Sequence, residues 1–310
     1  MKTISIIVPC YNEEAVITET FSRIKKVLSD LENYSSIIFI NDGSKDNTFL
    51  LLSQIAALDS SVKIINFSRN FGHQIAVTAG IHHCNSDLAI IIDADLQDPP
   101  ELIPALLAKQ EEEQANVVYC VRKCRNGENR FKLWSAKMFY RAMNKLSEVQ
   151  FPLDTGDFRL IDASVIREFN RFKEKGKYIR GIISWIGFKQ VPFYYEREAR
   201  FAGETKYPLK KMFAFAATAL LYFSKKPLLV AMSLGFLAVA LGIVLAIWYV
   251  LGKFIGYTNA ETGWTSIMIT IIFFGGIQLL TVGVLGQYIG ILFDEVKDRP
   301  EYIIDEIINL

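Results

Sequence analysis

The sequence predicts an α/β domain on a mainly parallel sheet, followed by two membrane-spanning helices. Three observations predict it: strand and helix patterns alternate through residues 3–121, acidic and amide residues gather where the strands end, and two long uncharged stretches lie near the C-terminus. The 310 residues are 51% hydrophobic yet 22% charged. That is too apolar for an ordinary soluble enzyme and too charged for an all-membrane protein, so the two kinds of residue must be segregated along the chain. A net charge of +1, from 34 basic and 33 acidic residues, gives no general attraction to nucleic acid. The four cysteines form no CxxC pair and read as reduced packing residues.

Short β-branched runs at 3–8 (TISIIV), 36–41 (SIIFIN), 63–67 (KIINF), 87–92 (DLAIII) and 117–121 (VVYCV) are the strands. Helical patterns follow the first four, over 13–31, 47–58, 71–83 and 102–114. Near-continuous apolar strands alternating with helices imply a parallel sheet covered on both faces, and ligands of such sheets bind beyond the strands' carboxyl ends. The domain is expected over 1–205.

From Pro227 to Gly252 no charge occurs, a helix of about 39 Å against a bilayer core of about 30 Å. Thr262 to Phe293 is again uncharged, so 227–293 reads as a two-helix transmembrane hairpin. Trp248, Tyr249, Tyr257 and Trp264 gather at the loop end, as interfacial aromatics do. Lys206, Lys210, Lys211, Lys225 and Lys226 precede the hairpin and Lys297 and Arg299 follow it, whereas the connecting loop carries only Lys253. The positive-inside rule then makes both termini and the domain cytoplasmic on a multi-pass chain. Residues 206–226 are expected to lie along the interface and 294–310 to form a cytoplasmic tail.

Three strand ends carry the chemistry: Pro9-Cys10-Tyr11-Asn12-Glu13-Glu14, Asn41-Asp42-Gly43-Ser44-Lys45-Asp46, and Asp93-Ala94-Asp95-Leu96-Gln97-Asp98. Neither GxGxxG after the first strand nor GxxxxGK[ST] occurs, which weakens dehydrogenase and P-loop readings. Asp93 and Asp95, two apart, project to one side. Paired carboxylates suit a hard divalent cation, Mg²⁺ or Mn²⁺, which borrows further ligands from a substrate's phosphates. A lone acidic pair could equally be a strand-stopping turn; the two other acidic ends beside it favour the metal. His73, His82, His83 and Cys84 fit no zinc spacing and read as surface or local structural residues, with His73 set apart by its place after the third strand.

VPCYNEE at 8–14, NDGSKDNT at 41–48, SRNFGHQIAVTAG at 68–80 and DADLQDPPE at 93–101 resemble the family-2 glycosyltransferases of the GT-A fold. GDFRL at 156–160, GVLGQYIG at 283–290 and the two spans resemble its membrane-anchored branch, the polyisoprenyl-phosphate glycosyltransferases, which includes bactoprenol glucosyltransferases and dolichyl-phosphate mannose synthases. The resemblance implies a Rossmann-like nucleotide-binding domain in which Pro9, Tyr11 and Glu13 cradle the base and ribose and Asp42 reads the uracil or ribose. It further implies that Asp93 and Asp95 bind the metal with Gln97 as a further ligand, and that Asp157 lies near the transferred sugar. An oligomer, a tetramer by analogy, is also implied.

The function expected is inverting transfer of a hexose, glucose first, from a UDP-sugar to undecaprenyl phosphate at the cytoplasmic face. N-acetylhexosamine, mannose or an aminopentose are alternative sugars, and a non-catalytic nucleotide-sugar sensor or flippase partner is an alternative of another class. A phosphate acceptor is already an anion and requires no strong base, so Asp157 is expected to orient donor or acceptor. Residues 122–145 form a basic amphipathic pattern suited to an anionic membrane surface. Within the basic segments, Arg122 and Arg200 are expected on the acceptor phosphate and Lys206 on the acceptor or diphosphate. RFAGETKY at 200–207 resembles the family's phosphate-handling loop.

Overall fold

The computed structural model describes residues 2–31, 35–122, 155–175, 177–196, 226–254 and 263–310. Apart from Arg122 and Lys226, the basic segment 122–145 and the interfacial segment 206–226 lie outside them. The described residues form two compact units, one holding those up to 196 together with 299–310, the other those from 226 to 298.

The first unit runs β1 (Ile4–Cys10), α1 (Ile17–Ser29), β2 (Ser35–Asn41), α2 (Thr48–Leu58), β3 (Val62–Phe67), α3 (His73–His82) and β4 (Leu88–Ile91). It continues with α4 (Ile103–Glu113), β5 (Val117–Arg122), β6 (Thr155–Asp162), α5 (Ala163–Phe169), α6 (Ile179–Ile186) and β7 (Gln190–Tyr195). One sheet has the order β7-β5-β6-β4-β1-β2-β3-β8, where β8 is Ile304–Ile308. β1 is parallel to β2 and β4, β2 to β3, and β5 to β7, whereas β6 is antiparallel to β4 and β5, and β8 to β3.

The parallel centre accounts for the apolar runs. Every residue of β1 is buried because helices cover both faces. α1 turns Ile17, Ile24, Val27 and Leu28 inward at helical spacing. α3 is pressed on the sheet: a Cβ at Gly80 would stand 2.4 Å from Ile7 Cγ2. Phe39, Phe158 and Phe169 are fully buried, each contributing about 1.5–3 kcal/mol of burial. Since β4, β1 and β2 are neighbours and parallel, their carboxyl ends open on one edge.

The structure differs from the expected boundaries in its last residues. The second membrane-type helix ends at Val296, and 299–310 is no separate tail but belongs to the sheet unit. Ile64 pairs with Ile308 and Phe67 with Ile304, and Ile308 packs on the core. A five-residue run with two acidic residues reads as solvated in isolation; its backbone pairing supplies what its side chains lack. β6 and β7 were likewise not among the expected strands.

In the second unit, α7 (Lys226–Phe254) and α8 (Trp264–Val296) cover the expected spans. Lys226–Val244 and Thr270–Val296 are long and apolar enough to cross a membrane. Their apolar side chains face outward, Phe236 being 69% exposed and Leu279 75%, which is the reverse of a soluble core hairpin. The helices meet where a Cβ at Gly242 would be 3.2 Å from the Phe274 ring. A Cβ at Gly275, Gly276, Gly283, Gly286 or Gly290 would meet nothing, so within the described chain these do not serve helix contact.

Gly43, just past β2, has φ +61°, and a Cβ there would lie 2.3 Å from the Arg69 carbonyl carbon and 2.6 Å from Asn70 N. Backbone cannot give way as a side-chain tip can. Gly43→Ala is expected to cost at least about 1–3 kcal/mol, read as a lowered Tm of the purified full chain. An unchanged Tm would contradict this crossing.

Candidate active site

The ends of β1 and β2 are tied to one another by their own polar groups. Asn12, at φ 54°, accepts from Lys45 N through its side-chain oxygen (2.8 Å), and its own N–H donates to Ser44 Oγ (3.0 Å). Positive φ suits Asn because its short amide can bond locally. Glu13 N donates to Thr48 Oγ1 (2.8 Å) and Asn47 N to Glu14 Oε2 (3.0 Å). Pro9 is buried and lies beyond the β4 pairing, which ends at Ile7. Tyr11 and Glu13 are partly exposed at the rim.

Asp42 is 2% exposed and holds the loop after β3. Its carboxylate accepts from Phe71 N (2.6 Å), Gly72 N (2.9 Å) and Asn70 Nδ2 (2.9 Å). Burial pushes this carboxyl above its usual range, against the two backbone hydrogen bonds. Three donors fill most of its roughly four lone-pair sites, so its first role is to shape the loop that leads into α3.

That helix begins with His73, which faces two carboxylates. Its Nε2 is 3.0 Å from Asp157 Oδ2 and 3.6 Å from Asp93 Oδ1. Asp157, in β6, also accepts from Gln74 Nε2 (3.2 Å) and from Arg180 Nε (2.8 Å), and Arg159 Nη2 stands 4.0 Å away. Gln74 in turn accepts from Ile179 N, and Arg180 Nη1 donates to Thr155 O, so β6, α3 and α6 meet on one carboxylate.

Burial opposes ionisation of Asp157, but the Arg180 charge and the His73 hydrogen bond hold it well below the usual carboxylate range. Burial would lower the His73 imidazole; the Asp157 hydrogen bond and the charges of Asp93 and Asp157 instead raise it from 6.5 to about 9. Burial raises Asp93 from 3.8 to about 6, with His73 opposing and Asp157, Asp98 and Asp95 reinforcing.

Asp93 and Asp95 flank a turn braced by α1, whose Thr20 Oγ1 is 2.8 Å from Ala94 O. Leu96 sits at φ 56° within it, and Gln97 N donates to Asp95 Oδ1 (3.1 Å). Among the described residues no group of three His, Cys, Asp or Glu side chains is placed to hold a metal. Asp93 Oδ1 is nonetheless buried without a hydrogen-bond partner, and the donors at 93, 95 and 97 are all hard oxygens. Such a set fits Mg²⁺ or Mn²⁺ that completes its shell from a substrate.

Beyond the turn, Asp98 is fully buried and accepts from Tyr195 Oη, on which Arg122 Nε also rests (3.4 Å). Arg122 is thereby joined to the acidic turn rather than displayed on a basic helix. Arg200 and Lys206 lie outside the described residues. Sequence reasoning missed Gln74, Arg180, Tyr195 and Asp98 as site residues. Asp98 and Gln74 carried a signal, through their places in the acidic run and in SRNFGHQIAVTAG; Arg180 and Tyr195 are brought in by folding from segments without a motif.

The open, mainly parallel sheet with carboxylates beyond its strand ends is the GT-A architecture expected from the sequence. The model of glycosyl transferase family 2 matches residues 5–169, and the chain belongs to that family. It is 47% identical over 97% of its length to the uncharacterized glycosyltransferase YkcC of Bacillus subtilis, of which 93% is covered. It is 37% identical to the prophage bactoprenol glucosyl transferase homolog of Escherichia coli, covering 98% of this chain and 99% of that one. It is 36% identical to the bactoprenol glucosyl transferase of Shigella phage SfII, covering 97% of each. The protein is therefore a glycosyltransferase.

A raised His73 contributes stability that is complete below pH 6.5 and is lost as pH rises through about 9. The Tm of the wild-type chain should thus exceed that of His73→Gln most near pH 6 and converge on it by about pH 9. A constant difference across that range would remove the His73–carboxylate pairing as its source.

Proposed function

We propose that the chain transfers a hexose, glucose in the leading reading, from a UDP-sugar to a polyprenyl phosphate such as undecaprenyl phosphate, with inversion at the anomeric carbon. In this reaction the bond from the anomeric carbon to the UDP oxygen breaks, a bond to the acceptor phosphate oxygen forms, and UDP leaves. No proton need move. The observation that carries the reading is the engagement of Asp157: its carboxylate already meets His73 Nε2 (3.0 Å), Gln74 Nε2 (3.2 Å) and Arg180 Nε (2.8 Å), so it is committed to donors within the protein rather than poised to take a proton from an acceptor. An acceptor that arrives as an anion is the partner such a site suits. The bactoprenol glucosyl transferase relatives of phage and prophage and the two apolar helices support a lipid acceptor.

In this account Pro9, Tyr11, Glu13 and Asp42 take the nucleotide, Asp157 orients the reacting sugar, and Arg122, Arg200 and Lys206 gather phosphate. Asp93, Asp95 and Gln97 would hold Mg²⁺ or Mn²⁺, which supplies Lewis-acid stabilisation of the departing diphosphate. Lys226, Lys297 and Arg299 beside the spans support a cytoplasmic domain in a bacterial inner membrane. A homo-oligomer, a tetramer by family analogy, belongs to the same proposal, as do N-acetylhexosamine, mannose or an aminopentose as the alternative sugars.

Membranes carrying the chain, incubated with a panel of labelled nucleotide sugars, should incorporate one sugar, UDP-glucose foremost, into the lipid extract. Asp95→Ala should lower incorporation by about 100-fold or more, and chelation should abolish it reversibly, with Mg²⁺ or Mn²⁺ restoring it. Incorporation unchanged by both treatments would overturn the metal assignment, and no incorporation from any sugar would overturn the reaction.

A further inference from the structure

We infer that Tyr302, which follows the second apolar helix in the chain, is a positioning residue for the donor nucleotide. The inference rests on the proposed function, in that it takes the Asp42 loop as part of the nucleotide site. Tyr302 stacks on Phe67 at the end of β3, with ring centroids 5.0 Å apart and planes 19° from parallel. Phe67 in turn meets Phe71 edge to face at 5.6 Å, and Arg69 lies 3.9 Å over the Phe71 ring. Phe71 is the residue whose N–H closes on Asp42 at 2.6 Å. Two ring contacts therefore join a residue near the C-terminus to the loop that Asp42 organises.

The segment carrying Tyr302 is fixed independently of the stack. Glu301 pairs with Lys177 at 2.9 Å, both largely buried, and Ile303 O accepts from Ser68 N at 3.0 Å. The Tyr302 hydroxyl lies 3.3 Å from His82 Nδ1, on the helix whose first residue is His73. The β3–β8 ladder shifts register between Asn66 and Phe67, at the ring that Tyr302 covers. With these anchors in place, the ring can be removed while the strand pairing is retained.

The test uses the full chain in membranes with saturating lipid acceptor. Tyr302→Ala should raise the donor KM about fivefold while kcat stays within about twofold, the size expected for loss of one aromatic pair. Tyr302→Phe, which keeps the stack and loses the hydroxyl, should restore the donor KM to within about twofold of wild type. If Tyr302→Ala does not accumulate, Tyr302→Leu keeps the volume, loses the ring and carries the same expectation. An unaltered donor KM alongside a lowered Tm would assign Tyr302 to stability alone and overturn the inference, as would a Phe variant as impaired as Ala. A wild-type chain without transfer would instead fail the proposed function.

Discussion

The site depends on keeping one carboxylate ionised inside a protein. Asp157 is 7% exposed, and an uncompensated charge at such depth costs several kcal/mol. Arg180, His73 and Gln74 supply hydrogen bonds to it, and Arg159 ties the adjoining backbone by donating to Gly156 O and Asp157 O. These donors come from β6, α3 and α6, so the solvation of a single acid also fixes three elements around the strand ends. Removing one donor leaves a buried charge exposed to the remainder, which is why the cluster acts as a unit.

Asp42 organises the loop that leads into α3. Its carboxylate closes the 70–72 loop, Gly72 takes φ 107°, and His73 emerges on the first turn facing Asp93 and Asp157. Asp42 and Asp157 are therefore connected through one short loop. Gly43 allows that loop to cross against the end of β2, where any side chain would strike backbone.

Much of this architecture was legible in the sequence because parallel strands covered on both faces must be apolar throughout. β1 to β5 and the intervening helices are visible on that basis, as are the three acidic ends. β6 was not, since TGDFRLID places Asp157 and Arg159 in the core, where Asp157 is satisfied by His73, Gln74 and Arg180 from far away in the chain and Arg159 by the Gly156 and Asp157 carbonyls beside it. β8 was hidden for the opposite reason: it is paired through backbone and edged with charge, so its side chains look solvated. Asp42 was readable as a site residue, but its hydrogen bonds to Phe71, Gly72 and Asn70 require the fold. Arg180 and Tyr195 stand in no motif and become part of the site only through α6 and β7.

The central claim is that no side chain here withdraws a proton from the acceptor, because the acceptor arrives charged. Offering the enzyme a polyprenyl phosphate and the free polyprenol of equal length, with the same nucleotide sugar, tests this directly. Glycosylation of the phosphate alone is the expected result. Transfer to the alcohol at a comparable rate would require a working base, and would contradict the account.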